Sequence, residues 1–136
     1  KKNNYKNVMK KIYEYNLSKN VINLGYVNEG AIKPLYKNSI GLIYPSLIGP
    51  TNIPPLEAMN YECPVICSDI YAMREQLKDA AFFVNPLSVK EIADAMVKIS
   101  KNHKLREKLI ENGKSLIKER SFENFKNKYN YLLERL

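Results

Sequence analysis

The first part of the chain switches between helical and strand-like hydrophobic spacing. Apolar side chains recur at intervals of three and four near the start, which predicts an amphipathic helix carried by Tyr5, Val8, Met9 and Ile12. Short apolar runs bounded by Gly and Asn favour strands further along. The predicted elements are a helix at residues 5–17, a strand at 21–24 closed by Gly25, a helix from Asn28 and Glu29 to about residue 37, and a strand at 40–44.

The middle of the chain continues this alternation. Pro54 and Pro55 suit the first turn of a helix, because backbone amides in the first turn have no acceptor within the helix and proline, which has no amide proton, loses no hydrogen bond there. The pattern predicts a helix from there to about residue 61, a strand at 64–67, a helical stretch at 71–77 and a strand at 81–84.

The last third of the chain is helical throughout. Ser88 and Glu91 form a capping-box pattern, and Asn102 and Ser121 are the expected N-caps of two further helices. The first of these three helices has the predicted buried stripe Val89, Ile92, Ala93, Met96 and Val97. The final helix keeps helical spacing at Phe122, Phe125, Tyr129, Leu132, Leu133 and Leu136.

Four strands separated by helices predict one α/β domain over residues 1–136. Strands joined in this way pair in parallel through right-handed crossovers, so we expect a Rossmann-like open sheet with helices on both faces and a helical C-terminal end. Ligands of such sheets bind beyond the carboxyl ends of the strands. The loop at residues 45–53 leaves one such end and is therefore the expected position of a site.

Charge adds a preference for anionic partners. The 136 residues carry 22 Lys and Arg against 14 Asp and Glu, a formal net charge of +8, which favours association with anions. The basic residues are spread along the chain, which is typical of solvated helix faces. Two readings without catalysis stay open: a stand-alone basic α/β module that binds anionic partners such as nucleic acid, and a remnant that oligomerises through an open sheet edge.

Cysteine and histidine give no sign of a metal site. Cys63 and Cys67 have no second cysteine pair, and about 13 Å would separate them along a strand, so we expect two reduced core residues in a cytosolic protein. His103 has no carboxylate or cysteine at ligand spacing in this reading, so neither a catalytic nor a metal-binding role is expected. Asp69 and Glu75 follow strand ends and are secondary candidates for the site.

No apolar run approaches the roughly 18 residues of a membrane span. The longest run, residues 40–48, is interrupted by Pro45 and Ser46. We therefore expect a cytoplasmic protein and leave open a peripheral contact with the inner face of the membrane.

The loop before the proline-led helix has the composition of a ligand-binding segment. Gly49 and Pro50 permit close approach to the backbone, and Thr51 and Asn52 offer small polar groups. Backbone amides up to Ile53, together with the helix dipole, could hold a phosphate or an anionic leaving group. Glu57 in this helix has two candidate roles, stabilisation of the helix N-terminus and acceptance of two hydrogen bonds from a vicinal diol such as ribose.

The stretch YPSLIGPTNIPPLEAMNYECPVICSD at residues 44–69 also carries a family resemblance. PPLEAM, PVICSD, the later DAAFFVNP and the earlier LGYV resemble, in order and spacing, the donor-binding domain of group 1 glycosyltransferases, a retaining family of GT-B architecture. The resemblance runs from about Val21 onward. It implies one half of a GT-B fold, with a nucleotide sugar as the partner and with neither a metal nor any other cofactor, and it gives no reason to expect nucleic-acid binding.

The resemblance also implies residue roles. Glu57 would bind the ribose hydroxyls, and the loop made of Gly49, Pro50, Thr51, Asn52 and Ile53 would contact the donor sugar and its phosphates. The nucleotide base would lie beside Gly25, Tyr26 and Val27. Gly49 occupies the position of a family glutamate, so a carboxylate contact to the sugar would be missing or replaced by Asn52.

Other parts of the family's site have no counterpart in this chain. The basic Arg and Lys pair that neutralises the diphosphate, two strands of the sheet and the acceptor-binding domain would all precede Lys1. Donor binding is therefore the expected role of the chain, which alone would be inactive or nearly so. Either the predicted strands at 21–24 and 40–44 pair directly, or an acceptor domain, other residues or another chain supply the missing neighbours.

Overall fold

A computed structural model describes residues 4–48 and 52–135. Within these ranges seven helices and three strands follow one another along the chain. Their bounds are α1 Tyr5–Glu14, α2 Glu29–Lys37, β1 Leu42–Tyr44, α3 Ile53–Asn60, β2 Val65–Ser68, α4 Tyr71–Leu77, β3 Phe82–Val84, α5 Val89–Lys101, α6 His103–Glu119 and α7 Phe122–Leu133.

The three strands form one parallel sheet in the order β1-β2-β3. Leu42 lies opposite Val65, and Ile66 lies opposite Phe82. Every residue of the central strand β2 is buried, as expected when helices cover both faces of a parallel sheet.

The core has two parts because successive side chains of a strand point to opposite faces. Val65 and Cys67 belong to a cluster with residues of α3, α4 and α6. Ile66 belongs to a second cluster with residues of α5, α6 and β3, namely Val84, Ala95, Ile99 and Leu109. The predicted α/β sheet with helices on both faces is therefore confirmed.

The predicted strand at residues 21–24 is wrong. These residues form no strand, and Ile22 is 79% exposed. A strand requires a neighbouring backbone, and among the described residues none pairs with this run. Direct pairing with the strand at 40–44 is likewise absent there, so the sheet has three strands, and β1 lies at its edge.

The predicted helix starts are confirmed by their hydrogen bonds. The cap side chains accept from backbone amides three residues later, in the pairs Asn28–Ala31, Ser88–Glu91, Asn102–Leu105 and Ser121–Asn124. Glu91 does not complete a capping box, because its carboxylate accepts from the amide of Asn85 instead. These starts need only local partners, which explains why the pattern located them.

The predicted buried stripe of α5 is wrong by about one residue. Ala95 and Ile99 are buried and Ile92 is half-buried, whereas Val89, Met96 and Val97 are exposed and Ala93 lies on the exposed side as well. Two adjacent stripes of this helix are almost equally apolar, and packing against β2 and β3 selects one of them.

Two helices at the periphery present apolar side chains to solvent. Neither α1 nor α7 contains a buried residue. Phe122 and Phe125, which keep the predicted helical spacing, are exposed. Within the described part of the chain, no helix combines the length and the apolar composition that crossing a bilayer requires.

Both cysteines are free and buried, which confirms them as thiols of the core. Burial raises the pKa of the Cys63 thiol, and it raises that of Cys67 to about 12. Both groups therefore stay protonated at neutral pH, and thiols without thiolate character are poor nucleophiles.

Candidate functional site

The strand ends meet at one edge of the sheet, as the parallel topology requires. The loop after β1 is joined there to the last residue of β2 by a hydrogen bond in which the Ser68 hydroxyl donates to the Ser46 carbonyl at 2.6 Å. This bond fixes the start of the segment that leads into α3.

Only part of the predicted loop can be described. Gly49, Pro50 and Thr51 lie outside the described residues. Asn52 is 3% exposed and adopts the left-handed conformation (φ 43°, ψ 45°), which asparagine tolerates better than most residues. Ile53 begins α3 and is exposed. The roles of these five residues toward a donor stay predictions.

Glu57 is on an exposed face of α3, at the border of an open depression of about 500 Å³. Its carboxylate oxygen Oε2 accepts a hydrogen bond of 3.4 Å from the Tyr36 hydroxyl of α2. None of the ion pairs among residues 4–48 and 52–135 involves Glu57. The depression is lined by Glu29, Ile32, Leu56, Glu57, Asn60, Tyr61 and Ile117.

The polar groups around this depression suit a neutral, hydroxyl-rich ligand. Glu29 and Glu57 provide carboxylates, Asn60 an amide and Tyr61 a phenol, and these groups accept from or donate to hydroxyls. Among the described residues that line the depression, none carries a positive charge. Two carboxylates without a cation would repel a phosphate, so the depression fits a pentose better than a diphosphate.

Sequence reasoning missed Tyr36, although the structure brings it to Glu57. Its ring stacks on Tyr61, with centroids 6.1 Å apart and an interplanar angle of 19°. The pKa of Tyr36 is raised above its usual 10.0, most strongly by burial and next by the negative charge of the Glu57 carboxylate. Helical spacing could have indicated this face, because Glu29, Ile32 and Tyr36 are separated by three and four residues along α2.

The predicted base-binding turn precedes α2. Gly25 has a φ of +63°, in the left-handed region that favours glycine, and its amide donates to the side chain of Asn23. Tyr26 is 96% exposed and Val27 is half-buried. None of Gly25, Tyr26 and Val27 lines the depression beside Glu57. The helix that follows them, α2, lines it through Glu29 in its first turn.

The secondary candidates have other partners. Both nitrogens Nε and Nη2 of Arg74 donate to the Asp69 carboxylate, the second at 2.7 Å. This pairing holds the pKa of Asp69 below its usual value, and the Arg74 guanidinium also lies over the ring of Phe83, 4.6 Å from its centroid. Glu75 is exposed on α4.

His103 does have a carboxylate neighbour, contrary to the sequence reading. Its Nδ1 lies 3.2 Å from the Glu107 carboxylate, one helical turn later on α6. Both side chains are exposed, and a single pair of this kind is an ordinary helix-surface contact. No cluster of three or more metal-ligating side chains occurs in the part of the chain that the structure describes.

The chain matches a known protein family over most of its length. The family model described as glycosyl transferases group 1 matches residues 1–116. This match covers β1, α3 and β2, the elements around Glu57.

Two curated relatives have similar names. The O-antigen chain mannosyltransferase RfbU of Salmonella typhimurium is 39% identical over 75 residues, which are 55% of this chain and 21% of the relative. The O-antigen chain mannosyltransferase B of Escherichia coli is 31% identical over 101 residues, which are 74% of this chain and 26% of the relative. The chain thus spans about a quarter of the length of these relatives.

Two solved structures share the fold. Sucrose-phosphate synthase of Thermosynechococcus elongatus superposes with a TM-score of 0.82 at 20% identity, over 96% of this chain and 33% of that protein. The C-terminal domain of a group 1 family glycosyl transferase (LpcC) of Francisella tularensis has a TM-score of 0.72 at 28% identity, over 84% of this chain and 60% of that one. They confirm the expected fold class, a C-terminal half of the GT-B architecture.

Proposed function

The chain belongs to the group 1 glycosyltransferase family, and we propose that it supplies the donor-binding part of an enzyme that transfers a sugar from a nucleotide sugar to an acceptor with retention of configuration. The observation that carries this proposal is the position of Glu57. Its carboxylate is exposed, is outside any ion pair of the described residues and borders an open depression.

In this proposal Glu57 accepts hydrogen bonds from both hydroxyls of the ribose. A carboxylate has two oxygens and can accept from two adjacent hydroxyls at once, and hydrogen bonds to a charged acceptor are stronger than neutral ones. Two neighbouring groups, the carboxylate of Glu29 and the amide of Asn60, give further polar contacts for a sugar ring.

The other proposed contacts with the donor come from the loop before α3 and from the turn before α2. The loop of Gly49, Pro50, Thr51, Asn52 and Ile53 contacts the donor sugar and its phosphates, and the turn of Gly25, Tyr26 and Val27 borders the base. The depression beside Glu57 provides no cation among its described lining residues. We assign charge neutralisation of the departing diphosphate to basic side chains elsewhere in the full enzyme.

We assign the acceptor to a separate domain or chain. The chain covers only 21% and 26% of the two mannosyltransferase relatives, and the exposed apolar side chains of α1 and α7 leave surface for a further domain to cover. The names of these relatives favour a mannosyl donor and a cell-surface glycan acceptor. The chain alone is then expected to bind a donor without transferring its sugar.

The test is a titration of the 136-residue chain, followed by NMR, with the diphosphates of guanosine, uridine and adenosine and with their 2′,3′-dideoxy analogues. Glu57→Gln should weaken binding of the preferred ribonucleotide by about tenfold or more, which is the loss of one or two hydrogen bonds to a charged group. It should leave the dideoxy analogue unaffected. Glu111→Gln, an exposed glutamate on α6, is the matched control.

Equal affinities of parent and Glu57→Gln for the ribonucleotide would refute the assignment of Glu57. Salt-dependent binding of a random oligonucleotide, with no response to any nucleoside diphosphate, would instead favour the basic binding module.

A further inference from the structure

Tyr36 connects the two helices on either side of the depression. It is on α2, its hydroxyl donates to Oε2 of Glu57 on α3 at 3.4 Å, and the two residues are 21 positions apart in sequence. Its side chain packs against the core cluster that contains Ala58 and Met59, and its ring stacks on Tyr61. The ring is thus held by the core and by a second aromatic ring, so its hydroxyl is a fixed donor.

Glu57 by contrast is exposed, and its carboxylate can rotate about several bonds. Accepting from a diol requires both oxygens to face the ligand, and an unrestrained glutamate loses conformational entropy when it adopts that orientation. One fixed donor on Oε2 restricts the carboxylate before any ligand arrives. It leaves Oε1 and the second lone pair of Oε2 available.

We propose that Tyr36 is a positioning residue for Glu57, which holds the carboxylate in the orientation that recognises the ribose diol. This inference rests on the proposed function of Glu57. The hydroxyl keeps its proton at neutral pH, because burial and the adjacent carboxylate both raise the pKa of Tyr36. It therefore remains a donor under the conditions of binding.

The ring and the hydroxyl of Tyr36 have separable contacts, which allows a sharp test. Tyr36→Phe keeps the packing and the stack on Tyr61 but removes the hydrogen bond to Glu57. Tyr13→Phe removes a phenolic hydroxyl from an exposed ring on α1 and is the matched control. Both variants are to be combined with Glu57→Gln, and affinities for the preferred ribonucleoside diphosphate and its 2′,3′-dideoxy analogue are to be measured by NMR titration.

We expect Tyr36→Phe to weaken ribonucleotide binding about threefold, which is at the lower end of the effect of one hydrogen bond because the O–O distance of 3.4 Å is long. Binding of the dideoxy analogue should not change, because this analogue has no ribose hydroxyls for Glu57 to bind. In the Glu57→Gln background Tyr36→Phe should have no further effect, because a residue that acts through Glu57 cannot act without its carboxylate. A residue with a purely structural role would weaken both ligands equally, and that result would overturn the proposal. An unchanged ribonucleotide affinity in Tyr36→Phe, or an independent loss in the double variant, would overturn it as well.

The two proposals fail in distinguishable ways. If Glu57→Gln weakens ribonucleotide binding and Tyr36→Phe does not, only the role of Tyr36 is refuted. If Glu57→Gln has no effect, or the parent chain binds no nucleoside diphosphate, both are refuted. Should Tyr36→Phe fail to fold, 4-fluorophenylalanine at position 36 replaces it, because the fluorine atom fills the place of the hydroxyl but has no proton to donate to Glu57, and the same selective loss is expected.

Discussion

The helix that carries Glu57 is held by a close contact with α6, and Gly113 provides the space for it. Gly113 is buried in α6, opposite Met59 of α3. A Cβ atom added at Gly113 would lie 3.2 Å from Met59 Cγ and 3.3 Å from Met59 Cβ. Carbon atoms in favourable contact are about 3.5–4.0 Å apart, so Gly113→Ala requires a shift of a few tenths of an ångström in a packed core.

The expected change in stability is the difference of two effects. Replacing glycine by alanine within a helix stabilises it by about 1 kcal/mol, whereas overpacking a core costs about 1–3 kcal/mol. Met59 is 3% exposed and belongs to the larger core cluster, so it has little room to move. We therefore expect Gly113→Ala to lower the free energy of unfolding by about 1 kcal/mol.

Urea unfolding followed by far-UV circular dichroism measures this change, with linear extrapolation and a check that the m-value is constant. Gly30→Ala in α2 is the control, because a Cβ there would meet only the side-chain oxygen of Asn28 at 3.5 Å. It should stabilise the protein by about 0.5 kcal/mol. If Gly113→Ala is as stabilising as Gly30→Ala, the proposed tight contact between α3 and α6 is wrong.

A double-mutant cycle isolates the contact itself. Met59→Ala alone should cost about 2–5 kcal/mol, because it leaves a cavity. The added methyl of Gly113→Ala fills part of that cavity, so the double variant should be more stable than the sum of the single effects by about 1 kcal/mol or more. Strict additivity would show that the two residues do not press on each other.

Two further predictions concern acid stability and thiol reactivity. The hydrogen bond from Arg74 lowers the folded-state pKa of Asp69 below its usual 3.8, so the ionised pair stabilises the fold above that pH and its contribution is lost as the pH falls through the lower folded value. The difference in free energy of unfolding between the parent and Asp69→Asn should therefore be constant above about pH 5 and should shrink below about pH 4. A difference that grows as the pH falls would contradict the predicted direction of the pH dependence. Burial raises the pKa of Cys67 to about 12, so a thiol reagent at pH 8 should label Cys67 only when urea unfolds the protein, and rapid labelling of the native state would refute the burial argument.

Several parts of the candidate site could be predicted from the sequence alone. The PPLEAM segment located the helix that carries Glu57, and Pro54 and Pro55 correctly indicated its first turn. Neither Tyr36 nor Glu29 was predicted beside Glu57, although their positions on one face of α2 could have suggested that they share a surface. A pattern within one helix identifies a face but does not identify which other helix that face meets.

The sequence by itself determined the features that depend on neighbours a few residues away. Helix starts at Asn28, Ser88, Asn102 and Ser121 follow from cap side chains that bond to amides three residues later. The successive apolar residues Val65, Ile66 and Cys67 of β2 favour burial on both faces of the sheet. Only the tertiary structure decided that residues 21–24 form no strand, which stripe of α5 is buried and that Tyr36 reaches Glu57. Strand pairing, helix orientation and contacts between helices depend on partners distant in sequence, and no local pattern specifies where those partners lie.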